Sequence, residues 1–169
     1  MAIRDSILPE FKQEMATSRK TLERVPEGKP DWAPHPRSMK MNRLAGHITE
    51  LPGLVSRILT EDAIDFRPAG APPRVPYEMT TRQSLLEVFD KNVAAAGDAI
   101  ARASDEELTK PFTLSAAGKV IVSLPRVAVL RSVVLNHVIH HRGQLSVYLR
   151  LNDVPVPSIY GPSADEGIF

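Results

Sequence analysis

The sequence predicts an all-α fold, a four-helix bundle, on three observations. Four segments repeat apolar residues at helical spacing, long middle connections separate them, and no internal repeat or low-complexity tract interrupts them. The first segment runs from Ile3 to Arg24, with Ile3, Ile7, Phe11, Met15 and Leu22 near helical spacing. Pro9 falls in its first turns, where proline is best tolerated. The helix is expected to stop by Val25-Pro26-Glu27-Gly28. A rigid connector, Lys29 to Pro36, follows and carries the single tryptophan, Trp32, which is expected to pack over one end of the bundle.

Ser38 is the expected N-cap of a second helix reaching about Thr60, with Leu44, His47, Leu51, Leu54, Val55 and Ile58 inward. Pro52 lies inside it and removes the backbone bond to Ile48, which predicts a kink just past His47. Asp65 to Met79 is proline-rich and has no period. Thr80 or Thr81 caps a third helix through about Ala103, with Leu85, Val88, Phe89, Val93 and Ile100 inward. Its Ala94-Ala95-Ala96-Gly97 run predicts close approach of a neighbouring helix. Between Ser104 and Ser123, Phe112-Thr113-Leu114 and Val120-Ile121-Val122 fit either a short hairpin or an extended crossover. Ser123 is the expected cap of a fourth helix, with Pro125 near its first turn and the helical pattern running from Leu124 to Leu151. Three prolines between Val154 and Pro162 forbid a helix in the tail.

That fourth helix holds three of the five histidines within five positions: His137, His140 and His141. A helix advances about 100° per residue, so His137 and His141 stand one turn apart on one face. The stripe Leu130, Val134, His137, His141, Leu145, Tyr148 puts both within the apolar face. A single inward histidine is ordinarily a core residue bonded to a carbonyl. Two side by side, with His47 inward on another helix, leave imidazole nitrogens that a shared metal ion would satisfy. Three imidazoles suit Zn²⁺, Ni²⁺, Co²⁺ or Fe²⁺, and three protein ligands leave a position open for water or substrate. His140 falls on a neighbouring stripe, and the choice between His140 and His141 as third ligand stays open here.

Several neighbours have two readings. Glu50 can support a ligand imidazole or be a solvated carboxylate. Arg142 and Gln144 flank the pair and can meet an anionic substrate, or Arg142 can pair at the surface. His140 can shuttle protons. His35, between two prolines, packs against Trp32 in its plain reading, and the Tyr160 hydroxyl either closes the bundle mouth or is structural.

The whole chain of 169 residues is expected to be one domain, residues 1–169, large enough for a real core. Its charge of +1 shows no footprint for nucleic acid or an anionic membrane. The absence of cysteine excludes disulfides, thiolate ligands, Fe–S clusters and a cysteine nucleophile together. Met1 to Asp5 lack a secretory pattern and no apolar run is long enough to span a membrane, so a cytoplasmic location is expected. No glycine-rich phosphate loop, His-Glu-x-x-His or nucleophile elbow occurs. The Glu-x-x-His pairs of di-iron bundles are missing too, since Leu44, Val134 and Val138 stand three before His47, His137 and His141.

Trp32-Ala33-Pro34-His35, Leu44-Ala45-Gly46-His47-Ile48, the run from His137 to Leu145 with Tyr148-Leu149-Arg150, and the tail from Val154 to Glu166 together resemble the DinB/YfiT-like superfamily. The resemblance covers nearly the whole chain in order. It implies a four-helix bundle with a long crossover connection, a metal bound by His47, His137 and His141, and a homodimer. Relatives in the wider superfamily include transferases and isomerases that use low-molecular-weight thiols; the resemblance implies no polymerase activity. The expected function is therefore a metal centre, zinc or nickel, that activates an external low-molecular-weight thiol or water against a small electrophilic substrate. The alternative is a metal- or ligand-binding stress-response protein without turnover. A third reading makes the histidines core polar groups of a purely structural bundle.

Overall fold

The computed structural model of the chain describes residues 2–167. Helix α1 (Ile3–Leu22) buries Ile7, Phe11, Met15 and Leu22 along one stripe and runs uninterrupted through Pro9. Its free N–H groups meet carboxylates: Asp5 accepts from Ala2 N at 3.0 Å and Asp105 from Ile3 N at 2.8 Å. Both place negative charge at the positive end of the helix dipole.

Helix α2 (Met41–Glu50) starts after the Ser38 cap that the sequence suggests. The connector caps it instead, because Met41 N donates to Trp32 O at 2.8 Å and Asn42 N to Pro30 O at 3.0 Å. Ser38 N is turned back onto His35 O at 2.9 Å. The interruption expected at Pro52 is a 3₁₀ turn, Leu51–Gly53, after which α3 (Leu54–Thr60) resumes. Helix α4 (Arg82–Arg102) begins at Thr81, whose Oγ1 accepts from Ser84 N at 3.0 Å while Ser84 Oγ accepts from Thr81 N at 3.2 Å. It buries Leu85, Phe89, Ala96 and Ile100. Within the Ala94–Gly97 run only Ala96 is buried in the core; Ala94 and Ala95 are exposed, and a Cβ on Gly97 would meet nothing within 4 Å.

A short helix, α5 (Asp105–Thr109), leads into the hairpin β2 (Pro111–Ala116) and β3 (Lys119–Pro125). Of the two readings of this region, the hairpin is the one that forms. Ala117 and Gly118 turn it with φ of 52° and 74°, the pair of positive angles a tight two-residue hairpin turn demands. A third strand, β1 (Ala63–Asp65), lies parallel to β2, giving the order β1-β2-β3. Asp65 also fastens the turn, accepting from Gly118 N at 2.8 Å and Ala117 N at 3.1 Å. Ile64, Phe112 and Leu114 are the residues the sheet buries. The all-α expectation is amended accordingly, to a fold about 55% helical with a small three-stranded sheet.

Ser123 does not cap the last helix. It lies in β3 opposite Thr113, and pairing continues to Pro125 opposite Pro111. Helix α6 (Arg126–Val129) follows, then a π-helical segment (Leu130–Leu135), then α7 (Asn136–Arg150). The single helix expected from Leu124 is thus a strand end and three helical segments. The buried Arg126 guanidinium bonds Leu59 O, Glu61 O at 3.0 Å and Asp62 Oδ1 at 3.0 Å, closing the C-terminal end of α3. Helix α1 packs on α4 and α7, and α2 packs on the same two, around one continuous apolar core. Among the described residues no helix is long and apolar enough to cross a membrane.

Candidate metal centre

Helix α2 carries His47, and α7 carries His137 and His141 one turn apart. Packing of α2 on α7 brings the three together. Ring centroids lie 5.0 Å apart for His47 and His137, 4.7 Å for His47 and His141, and 4.6 Å for His137 and His141. Each ring offers one ligand nitrogen, and all three nitrogens lie within 4.8 Å of one another.

The hydrogen bonds fix which nitrogen is offered. His141 Nδ1 lies 2.7 Å from Gln144 Oε1, and His137 Nδ1 lies 3.3 Å from Val133 O. Carbonyl oxygens only accept, so Nδ1 carries the proton in both rings and Nε2 keeps its lone pair. Val133 belongs to the π segment, so that segment also orients the ring of His137. His47 Nε2 stands 3.4 Å from His137 Nε2. That is long for a hydrogen bond, and it matches the roughly 3.3–3.4 Å that separates two nitrogens each about 2.0–2.1 Å from one tetrahedral ion. Among the described residues His47 Nδ1 is buried with no hydrogen-bond partner, and Glu50 Oε2 stands 3.7 Å from it.

All three rings are held neutral. Burial, and then the neighbouring His141, His137 and Arg43, push His47 down to about 4, with Glu50 opposing. Burial likewise lowers His137, against its bond to Val133, and His141, against its bond to Gln144. A neutral imidazole is the form that ligates, so the donor set fits a divalent transition ion.

The other sequence candidates separate. His140 is exposed; its ring centroid is 4.9 Å from that of His141, but it stays outside the converging group. Glu50 is neither solvated nor bonded to a ligand ring. It accepts from Tyr77 N at 2.8 Å, Arg74 at 3.0 Å and Arg43 at 3.2 Å, and so pins the proline-rich segment against α2. Arg142 faces away from the triad, neither at the surface nor open to a substrate. One residue beyond His141, it points at α1, fully buried, bonded to Glu14 Oε2 at 2.8 Å, Glu14 O at 3.1 Å and the Tyr160 hydroxyl at 2.6 Å. Tyr160 is structural, donating onward to Glu14 Oε2 at 2.8 Å. His35 is exposed and accepts from Arg37 N at 3.1 Å, while Trp32 stacks edge-on against Tyr148 at 5.3 Å.

His47 and His137 of the triad open into a cavity of about 1130 Å³ between α2, the π segment and the proline-rich segment, with His140 and Glu50 also in its wall. Sequence reasoning missed Arg43, Arg67, Arg74, Ser132 and Asn136 there. Arg43 was detectable, one turn before His47 on the same helix face. Arg67 and Arg74 lie in an aperiodic segment whose course only tertiary contacts decide.

A profile of the DinB superfamily matches residues 10–145, a span that includes all three histidines. Among solved structures, a DinB-like protein (YjoA) from Bacillus subtilis superposes with a TM-score of 0.67 at 17% identity, over 91% of this chain and 97% of its own. A DinB-like protein from Bacillus cereus superposes with a TM-score of 0.70 at 23% identity, over 94% of this chain and 98% of its own. No curated protein matches the chain. At these identities the structures speak for a shared fold alone, whereas the profile covers most of the sequence. The chain belongs to the DinB superfamily.

Proposed function

We propose that this protein is a metal-dependent enzyme in which His47, His137 and His141 hold a zinc or nickel ion. The observation that carries this reading is the convergence of three neutral imidazoles, two with Nδ1 already engaged, on one point at the wall of an open cavity. A divalent ion there supplies a Lewis acid that lowers the pKa of a low-molecular-weight thiol or of water, as attack on a small electrophile requires. The thiol comes from outside, because the chain has no cysteine. His140, exposed in the cavity wall, is the acid–base candidate with a free path to a substrate proton. Glu50 holds the proline-rich wall in place, and Arg142 keeps α7 seated on α1. The reading extends to one domain arranged as a four-helix bundle with a long crossover, to a homodimer, and to a cytoplasmic location.

One observation favours the alternative of a metal-binding protein without turnover: the carboxylate nearest the triad, Glu50, is engaged by three donors, which leaves His140 as the one acid–base candidate the reading can use. Exchange of a small thiol onto the Co²⁺-substituted protein, followed in its absorption spectrum, separates the two.

The test is elemental mass spectrometry on tag-free wild type and on His47→Ala, His137→Ala, His140→Ala and His141→Ala. We expect about one transition ion per chain in wild type and His140→Ala, and loss in the other three. Wild type that stays metal-free after reconstitution with Zn²⁺ and Ni²⁺ sinks the proposal.

A further inference from the structure

We propose that the cavity takes a substrate with an oxyanion head group, a carboxylate or a phosphate, and that Arg67 is the residue that selects it. This rests on the reading of the triad as the reaction centre and names the substrate class of that same site. Three arginines, Arg43, Arg67 and Arg74, line the cavity against one carboxylate, Glu50, leaving two positive charges unbalanced. Glu50 accounts for two of the arginines, accepting from Arg43 at 3.2 Å and from Arg74 at 3.0 Å. The Arg67 side chain has no hydrogen-bond or ion-pair partner among the described residues. Its backbone is nevertheless fixed, since Arg67 N donates to Asp65 Oδ1 at 2.7 Å, and Asp65 in turn is held in the sheet and at the hairpin turn.

A guanidinium with five donors and no acceptor, mounted on a fixed backbone over a concave wall, suits a planar or tetrahedral oxyanion bound through two oxygens. Leu51, Leu54, Phe66 and Val133 line the same wall and make part of it apolar. The fitting ligand therefore has an apolar body, a charged end on Arg67 and its reacting atom toward the triad. A concave space of about 1130 Å³ suits a small molecule rather than a polymer backbone.

The test is calorimetric titration at low salt with succinate, inorganic phosphate and uncharged succinamide. It is run on metal-free and zinc-loaded protein, as wild type, Arg67→Gln and Arg67→Lys. Both anions are expected to bind wild type and succinamide not. Arg67→Gln weakens anion binding about tenfold in both forms, and Arg67→Lys recovers part of it, with thermal stability unchanged. Tighter binding of succinate or of phosphate identifies the head group. Absence of anion binding, or equal affinity in Arg67→Gln and wild type, overturns the proposal. Zinc content of the same preparations keeps the two readings apart. Protein that holds zinc but ignores the anions refutes the anion site alone, and protein that binds anions through Arg67 but takes no zinc refutes the metal centre alone.

Discussion

Gly46 lies so close beneath the Tyr77 carbonyl that a Cβ added to it would stand 2.4 Å from that oxygen. The obstacle is backbone, held by Tyr77 N on Glu50 at 2.8 Å and by Arg43 on Tyr77 O at 3.4 Å. Gly46→Ala must therefore push the proline-rich segment off α2, next to His47. We expect a loss of about 1–3 kcal/mol and faster proteolysis within residues 66–80. Unchanged melting and unchanged cleavage would remove the close approach from the account.

Gln144 is exposed but holds His141 Nδ1 at 2.7 Å. Replacing it with leucine frees the ring to turn and to change tautomer without touching the core. Zinc affinity, measured by competition with a chelator, is expected to fall about 10–100-fold while the melting temperature stays put. Wild-type affinity in Gln144→Leu would mean that packing alone orients the ring.

Arg142 and Glu14 form a buried pair with side-chain exposures of 2% and 9%. Removing one partner strands the other. Arg142→Met is expected to cost about 3–5 kcal/mol, roughly a 10 °C fall in melting temperature, and Arg142→Met with Glu14→Leu should recover much of it. A single substitution that melts like wild type would contradict the pairing.

The lowered histidines set a pH dependence for the metal-free protein. In the unfolded chain His47 takes its proton near 6.5, but in the fold only near 4. Between those values the unfolded state binds more protons, so stability is fully present above about 6.5 and declines as pH falls toward 4. His137 and His141 are shifted in the same direction by burial. Denaturant unfolding at pH 7.5, 5.5 and 4.5 should show this slope in wild type and a shallower one in His47→Gln. Identical slopes would assign the acid sensitivity elsewhere.

The triad was legible because its signal is local geometry: His137 and His141 share a face by spacing, and His47 falls in an apolar stripe on another helix. Thr81 and Pro52 were legible for the same reason, since capping chemistry and a missing N–H act within one turn. Ser38 and Ser123 misled because distant partners outbid a local cap. Carbonyls of the Pro30–Trp32 connector satisfy the start of α2, and pairing with Thr113 keeps Ser123 in a strand. Arg142 looked like a surface residue because its partner, Glu14, is 128 positions away on α1. The Arg67 and Arg74 side of the cavity was illegible, because nothing in a proline-rich run announces that Glu50 will anchor it.

A π turn accommodates one residue more than the α turn it replaces. The one at Leu130–Leu135 sits between Arg126, fastened to the end of α3, and α7, which carries the histidine pair. It therefore acts as a phase shifter in the last helical run. Losing a single residue there would rotate α7 about 100° against everything upstream, swinging His137 and His141 out of register with His47 while leaving all three histidines in the sequence. Among relatives of this chain, the spacing between hairpin and histidine pair should tolerate substitution far better than insertion or deletion.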